Sequence, residues 1–207
     1  VHSHAFSSKM NLQNLQLIVC GTDTDVGKTI VSSFLVQGLN AIYWKPIQSG
    51  LEDGSDTNRV CEMLNLPQNR WFPERYKFKA PVSPHWAAER ENQCIIPSNI
   101  TVPSTKQPLV IETAGGVMVP LNRKYLQIDL LEHWKIPIIL VARSGLGTLN
   151  HTLLTIESIK KRNIPILGII LNGPSHEDNP RTLEQFSRVP IIAELPKLQN
   201  LSAKQLQ

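Results

Sequence analysis

At residues 21–29 the chain reads Gly-Thr-Asp-Thr-Asp-Val-Gly-Lys-Thr, a loop sequence bounded by two glycines. The apolar run at residues 15–20 is typical of a buried strand, and residues 30–39 have the apolar periodicity of a helix. A glycine-bounded loop between a strand and a helix indicates a phosphate site, because free amides at the helix start meet phosphate oxygens. Lys28 adds a cation and Thr29 offers a hydroxyl to Mg²⁺, so the stretch predicts that a nucleoside triphosphate binds here.

The spacing of this loop is unusual. Five residues separate Gly21 from Gly27, whereas the common phosphate-binding loop has four residues between its glycines. The extra residue narrows the set of families to which the chain can belong.

Strands and helices alternate along the rest of the chain. We predict strands at residues 41–46, 108–112, 136–142, 164–172 and 191–194, and helices at residues 56–64, 84–90, 125–134, 146–162 and 180–187. Ser55 and Ser83 are predicted N-caps, residues 47–55 and 113–116 loops, and residues 65–82 irregular structure with one short strand near 75–79. Continuous apolar strands separated by helices indicate an α/β fold, a single P-loop NTPase-like domain with a mainly parallel sheet and helices on both faces.

Several predicted strands end in polar side chains. Lys45, Glu112 and Asn172 each come at or beside the carboxyl end of a strand. Ligands of open parallel sheets bind at that edge, so these side chains are expected to face one crevice.

Length and composition fit a cytoplasmic protein of one domain. We predict a domain at residues 15–207 preceded by a flexible segment at residues 1–14. Three widely spaced cysteines suggest neither a disulfide framework nor a zinc site and are consistent with a reducing cytoplasm. The apolar runs are too short for a membrane helix, and the net charge of +4 comes from scattered residues. We therefore expect neither a membrane nor a nucleic-acid partner.

An ordered set of motifs resembles one enzyme family from about residue 15 to residue 198. The motifs are Gly-Thr-Asp-Thr-Asp-Val-Gly-Lys-Thr at 21–29, Lys-Pro-Ile-Gln-Ser-Gly at 45–50, Ser-Asp at 55–56, Ser-Pro-His at 83–85, Glu-Thr-Ala-Gly-Gly at 112–116 and Gly-Leu-Gly-Thr-Leu-Asn-His at 145–151. In this order they resemble dethiobiotin synthetase. The resemblance implies ATP-dependent ring closure of 7,8-diaminopelargonic acid with CO₂, through a carbamate and a carbamic-phosphoric anhydride, in biotin biosynthesis.

The resemblance also implies a set of ATP and metal contacts. Lys28, Lys45 and Thr24 match the groups around the transferred phosphate, and Thr29, Asp56 and Glu112 match the Mg²⁺ ligands. The implied nucleotide contacts are Asp25, Val26, Gly27, Lys28, Thr29, Ile30, Asp56, Glu112, Thr113, Ala114, Gly115, Asn172, Gly173, Leu195, Pro196 and Lys197. Because a carboxylate is repelled by phosphates, we expect Asp25 to contact ATP mainly through its backbone.

For the substrate, the resemblance implies contacts with Ser49 and with the helix start at Gly147, Thr148, Leu149 and Asn150. In the family this helix start reaches across the interface of a homodimer to hold the substrate carboxylate, which suits the positive end of a helix dipole. The chain departs from the family at Thr113, where many relatives have glycine, and in the short connector at 92–107. Thr113 makes the backbone there less free to adopt a positive φ.

Three alternatives remain open at this point. An amidoligase of the cobyrinic acid diamide synthase type has a similar loop but usually carries a glutaminase domain, for which this chain has no room. A nucleotide switch of the partitioning-ATPase kind has a lysine near the first glycine, where Thr22 and Asp23 stand here. A silent ligand sensor would not need Lys28, Lys45, Asp56 and Glu112 together.

Overall fold

The structure is a computed structural model that describes residues 13–52 and 54–196. Nearly all of the predicted flexible segment at 1–14 lies outside the described residues, and so does Lys197. The strands are β1 Gln16–Gly21, β2 Ile42–Trp44, β3 Ile47–Ser49, β4 Trp71–Phe72, β5 Tyr76–Phe78, β6 Leu109–Gly116, β7 Ile138–Arg143, β8 Ile166–Asn172 and β9 Ile191–Leu195. The helices are α1 Lys28–Gly38, α2 Asp56–Leu64, α3 Pro84–Arg90, α4 Gln127–Trp134, α5 Thr148–Lys161 and α6 Asn179–Ser187.

Seven of the described strands form one sheet in the order β4-β2-β6-β1-β7-β8-β9. All of its pairings are parallel, so the carboxyl ends of the strands meet at one edge. The strands β3 and β5 form a separate parallel pair. The predicted α/β fold with a mainly parallel sheet is confirmed.

Helices cover both faces of the sheet, as predicted. Along β1, Ile18 and Cys20 belong to a core shared with α3, α4, α5 and α6, whereas Leu17 and Val19 belong to a core shared with α1 and α2. Side chains alternate between the two sides of a strand, so one apolar run supplies both cores. Burial on both faces explains why the strands read as continuous apolar runs.

Three segments differ from the predicted secondary structure. Residues 47–49 were predicted as loop but form β3, residues 71–72 were predicted as irregular but form β4, and residues 113–116 continue β6 instead of forming a loop. β3 and β4 have three residues or fewer and owe their strand geometry to partners far away in the chain, so local sequence carries little signal for them. The short strand expected near 75–79 is present as β5.

The two predicted N-caps have different outcomes. Ser55 caps α2, because its hydroxyl accepts a hydrogen bond from the Asn58 amide at 3.2 Å. Ser83 precedes α3 as predicted, but its hydroxyl lies 3.1 Å from Nδ1 of His85 and makes no capping bond. Pro84 at the first helical position lacks an amide hydrogen, so that position needs no acceptor.

Among the described residues, no helix is long and apolar enough to cross a membrane.

Candidate active site

A cleft of about 1010 Å³ opens where the carboxyl ends of β1, β2, β6 and β8 meet. Most of the residues predicted to bind nucleotide, metal or substrate line it. They are Thr24, Asp25, Gly27, Lys28, Thr29, Ile30, Lys45, Ser49, Asp56, Glu112, Ala114, Gly115 and Asn172. The predicted crevice therefore exists and gathers side chains from distant parts of the sequence.

The start of α1 forms one wall of the cleft. Gly27 has a φ of 101°, a left-handed conformation that suits glycine, and a Cβ there would overlap the Asn172 amide. The Nδ2 group of Asn172 donates to the Val26 carbonyl at 2.9 Å. Asn172 thus packs directly against the phosphate loop.

Lys28, the first residue of α1, lies buried in the same wall. Its Nζ donates to the Asp23 carbonyl at 2.8 Å, which folds the side chain back over the loop. Burial lowers the pKa of Lys28, and the neighbouring ammonium of Lys45 lowers it further. A lysine held beside a second cation at a helix start is suited to an anionic ligand.

Lys45 lies between two carboxylates in the same cleft. Its Nζ is 2.6 Å from Oδ2 of Asp56 and 3.0 Å from Oε1 of Glu112, and its side chain is only 5% exposed. Burial works to lower the pKa of Lys45, but Glu112 and Asp56 outweigh it and the pKa is raised. Lys45 therefore carries a full positive charge inside the cleft.

Glu112 is held in place from both sides. Thr29 donates its hydroxyl to Oε1 at 2.9 Å, and Tyr43 donates its hydroxyl to Oε2 at 3.0 Å. Burial and the adjacent Glu112 raise the pKa of Tyr43 well above its usual value, so the phenol stays protonated as a donor. Tyr43 was not among the residues predicted from the sequence, because its contact with Glu112 joins residues 69 positions apart and no local pattern marks it.

Thr29, Asp56 and Glu112 present oxygen atoms to one region of the cleft. The Thr29 hydroxyl contacts Glu112, and it also helps to lower the pKa of Asp56. Burial works to raise that pKa, but Lys45 outweighs burial and keeps Asp56 ionised. Two carboxylates and a hydroxyl are a donor set that fits Mg²⁺, which prefers oxygen ligands and keeps several waters.

Ser49 lies at the end of β3, on the other side of the cleft. Within the described residues its buried hydroxyl has no hydrogen-bond partner, an arrangement that is uncommon unless a ligand supplies one. Gln48 holds this segment, since its Oε1 accepts from the Asp56 amide at 3.1 Å and its Nε2 donates to the Ser49 carbonyl at 3.1 Å. Gln48 stands inside the motif at 45–50, so the sequence did carry a signal for it.

The expected base-binding residues lie at the β8 and β9 ends of the sheet. Leu195 pairs with Asn172, and the Gly173 amide donates to the Leu195 carbonyl at 2.8 Å. Pro196 follows directly in the chain. Gly173, Leu195 and Pro196 adjoin Asn172 but do not line the cleft. Of the expected base-binding residues that the structure describes, the cleft lining includes Asn172 only.

Two predicted sets lie away from the cleft. The Thr113 hydroxyl turns inward and donates to the Val19 carbonyl at 3.3 Å. At the start of α5, Thr148 is buried, and its hydroxyl lies 3.0 Å from that of Thr152. Within the described residues, the cleft lining does not include Gly147, Thr148, Leu149 or Asn150. One chain alone therefore does not bring the α5 start to the Lys45 site.

Arg143, at the end of β7, is a further residue whose contact with the phosphate loop was not predicted from the sequence. Its Nη2 donates to the Thr24 carbonyl at 3.1 Å and lies 3.7 Å from the Asp23 carboxylate. The guanidinium thus braces the outer part of the phosphate loop.

Comparisons with known proteins identify the family of the chain. A family model described as an AAA domain matches residues 15–205. The ATP-dependent dethiobiotin synthetase BioD of Brucella melitensis biotype 2 is 45% identical, over 93% of this chain and 91% of its own length. The biotin biosynthesis bifunctional protein BioCD of Bordetella avium is also 45% identical, over 91% of this chain, which spans only 41% of that protein.

Solved structures share the fold at low identity. The septum site-determining protein MinD of Pyrococcus horikoshii, complexed with Mg-ADP, matches with a TM-score of 0.58 at 16% identity, over 93% of this chain and 88% of that one. A ParA family ATPase of Chlorobium tepidum matches with a TM-score of 0.58 at 12% identity, over 93% of this chain and 90% of that one. These two likenesses concern the fold alone. The sequence relatives carry the family assignment: the chain belongs to the ATP-dependent dethiobiotin synthetase family.

Proposed function

We propose that the chain is an ATP- and Mg²⁺-dependent ligase that closes 7,8-diaminopelargonic acid and CO₂ into dethiobiotin, releasing ADP and phosphate. The observation that carries this proposal is Lys45, a buried ammonium between Asp56 and Glu112 that lines the same cleft as the phosphate loop. A reaction between a carbamate and a γ-phosphate brings anions together, and it needs a fixed cation at the point where they meet.

The reaction balances in three steps. One amine of the diamine adds to CO₂ and loses a proton, which gives a carbamate. A carbamate oxygen then attacks the γ-phosphorus, and the bond from that phosphorus to the oxygen of ADP breaks. The second amine attacks the carbonyl carbon of the mixed anhydride and loses a proton, phosphate leaves, and a cyclic urea forms.

Lys45 is suited to the second step by its donor inventory. An ammonium has three N–H donors, and in the described residues Asp56 and Glu112 accept two of them. The third is available to an anionic oxygen of the carbamate or of the γ-phosphate. Lys28, the loop amides and the Thr24 hydroxyl line the same cleft and would contact the same phosphate.

Thr29, Asp56 and Glu112 would hold the Mg²⁺ ion. When bound, this ion would neutralise charge on the phosphate oxygens. Tyr43 supports the set, because its hydroxyl orients the Glu112 carboxylate.

The remaining substrate groups have separate partners. We assign the diamine to the Ser49 hydroxyl, which is buried and unpartnered in the described chain. The base is assigned to Asn172, Gly173, Leu195 and Pro196, with Lys197 beyond the described residues, because an amide such as that of Asn172 can offer a donor and an acceptor to a purine. The substrate carboxylate is assigned to residues 147–150 of a second copy, since this helix start lies outside the cleft of its own chain.

The test is phosphate release from ATP and Mg²⁺ with diaminopelargonic acid and bicarbonate, omitting each component in turn. We expect phosphate release to require all four components. Release that continues without the diamine and bicarbonate would indicate a nucleotide switch, and release that requires ammonia or glutamine instead would indicate an amidoligase. Either result contradicts the proposal.

A further inference from the structure

The strand β6 contains a bulge beside the phosphate loop. β1 and β6 pair in register up to Val19 and Glu112, and they pair again at Gly21 and Gly116. Between these pairs β1 has one residue, Cys20, whereas β6 has the three residues 113–115. We call residues 113–115 the β6 bulge. Bulges interrupt the hydrogen-bond ladder and bend a strand, and they often occur next to active sites.

The β6 bulge touches the phosphate loop and follows a proposed metal ligand. Gly115 has a φ of 62°, and a Cβ there would lie 3.5 Å from the Thr24 hydroxyl. Glu112 immediately precedes the bulge, and Ala114 and Gly115 line the cleft. A shift of the bulge would therefore move Glu112 or the wall that faces Thr24.

The interrupted ladder leaves backbone groups that need other partners. Gln127, the first residue of α4, supplies two of them: its Oε1 accepts from the Ala114 amide at 3.1 Å, and its Nε2 donates to the Gly116 carbonyl at 2.9 Å. Thr113 supplies a third through its hydroxyl bond to Val19.

Gln127 is itself well placed to act as a fixed support. It is only 3% exposed, and its own backbone amide donates to the Val119 carbonyl at 2.8 Å. Both ends of its side-chain amide bond to backbone, so the side chain has one satisfied orientation. The adjacent glycines would otherwise leave the bulge free to sample several backbone conformations.

We propose that Gln127 is a positioning residue of this site: by bonding to both sides of Gly115 it fixes the β6 bulge and sets Glu112 and Gly115 against the phosphate loop. The effect on turnover rests on the proposed function, whereas the hydrogen bonds that carry the inference do not depend on it.

The test compares Gln127→Met and Gln127→Glu with Gln185→Met and Gln185→Glu, at an exposed position of α6. Gln127→Met removes both bonds to the bulge, and Gln127→Glu keeps an acceptor for Ala114 but removes the donor to Gly116. The first readout is amide hydrogen exchange at Ala114, compared with the β7 amides. The second is kcat and KM for ATP per folded protein, and the third is the rise in Tm on adding ATP.

In Gln127→Met we expect faster exchange at Ala114 with the β7 amides unchanged, and kcat lowered by up to about 10²-fold, the scale for a small misplacement of reacting groups. In Gln127→Glu, which keeps the acceptor, exchange at Ala114 should change less. KM for ATP should stay within about threefold, because Lys28 and the loop amides still hold the phosphates. The Gln185 variants should match the original chain. If Gln127→Met does not fold, kcat of Gln127→Glu tests the same support through the lost bond to the Gly116 carbonyl.

An unchanged kcat in folded Gln127→Met protein would overturn the inference, whatever the exchange at Ala114. Failure of the proposed function looks different, since the original chain would then show no diamine-dependent phosphate release. In that case the additional rise in Tm that Mg²⁺ produces in the presence of ATP replaces kcat as the readout, because Glu112 is a proposed Mg²⁺ ligand: a smaller additional rise in Gln127→Met than in the original chain supports the inference, and an equal one overturns it.

Discussion

The helices α1 and α5 begin in the same way but in different surroundings. Each follows a parallel strand of the sheet, and each is preceded by a glycine in the left-handed conformation, Gly27 at a φ of 101° and Gly147 at a φ of 93°. A Cβ on Gly27 would overlap Asn172, whereas a Cβ on Gly147 would have no atom within 4 Å in the described chain. Leu146, next to Gly147, is fully exposed.

The difference shows that a helix start is not by itself a site. Both starts have free amides and the positive end of a helix dipole. At α1 the walls of a cleft surround that end with Lys28, Lys45, Glu112 and Asn172, so that a bound anion meets two cations, and Lys45 offsets the charge of Glu112. At α5 a second surface is needed, which is why we assign that helix start to the site of a second copy.

The largest effect is expected from Lys45→Ala, which removes the second cation facing the α1 start. Turnover should fall by about 10² to 10³, the usual scale for losing one partner of transition-state charge. The measurement is kcat in protein whose circular dichroism matches that of the original chain, with Lys161→Ala at the exposed end of α5 as the control. Turnover within a factor of three of the original would remove Lys45 from the mechanism and weaken the contrast between the helix starts.

Alanine at each of the two glycines compares the helix starts directly. Both substitutions place a Cβ on a left-handed backbone, at a cost on the order of 1 kcal/mol of unfolding free energy. Gly27→Ala should destabilise more, because of the overlap with Asn172, and should abolish most of the ATP-induced rise in Tm. Gly147→Ala should keep that rise. Equal ATP-induced rises in Tm for Gly27→Ala and Gly147→Ala would contradict the proposed difference between the two helix starts.

Ser49→Ala tests the wall of the cleft away from α1. Since the Ser49 hydroxyl has no partner in the described chain, its removal should leave the free energy of unfolding unchanged or slightly higher. KM for the diamine should rise by about two- to tenfold, the equivalent of one hydrogen bond. A matched variant is Thr148→Val, which should lower Tm because that hydroxyl is already paired with Thr152. A diamine KM unaffected by Ser49→Ala would dismiss Ser49 as a substrate contact.

Leu146→Asp is expected to have the smallest effect. A carboxylate at the α5 start should repel the substrate carboxylate, and the loss is on the scale of a helix dipole, about 0.3 to 1 kcal/mol. KM for the diamine should rise by about two- to fivefold, with Tm and KM for ATP unchanged because Leu146 is exposed. Steady-state kinetics measures this, and an unchanged diamine KM would leave the α5 start without a role in the site.

The sequence predicted the parts of the fold that local pattern determines. The phosphate loop between β1 and α1, the Ser55 cap and the alternation of buried strands with helices all follow from the spacing of glycines, apolar residues and a capping serine. Strand-end polar residues also predicted the cleft, because the carboxyl ends of parallel strands meet at one edge.

The parts that were missed depend on distant contacts. The strand β4 is two residues long and exists because β2 pairs with it, and the β6 bulge forms because Gly21 of β1 pairs with Gly116 instead of Ala114. The Thr113 hydroxyl supports the bulge through the Val19 carbonyl, and the ATP contact expected of Thr113 stays a prediction. Tyr43 and Gln127 act through partners elsewhere in the chain, so neither carries a local sequence signal.

The central claim is that the Lys45 cleft joins CO₂ to the diamine at the expense of ATP, and carbon labelling tests it most directly. Purified protein is incubated with ATP, Mg²⁺, diaminopelargonic acid and ¹³C-bicarbonate, and the product is examined by mass spectrometry alongside the ADP formed. We predict one ¹³C atom in the ring carbonyl of dethiobiotin for each ADP released, with both signals lost in Lys45→Ala. ADP formed without labelled dethiobiotin would contradict the account.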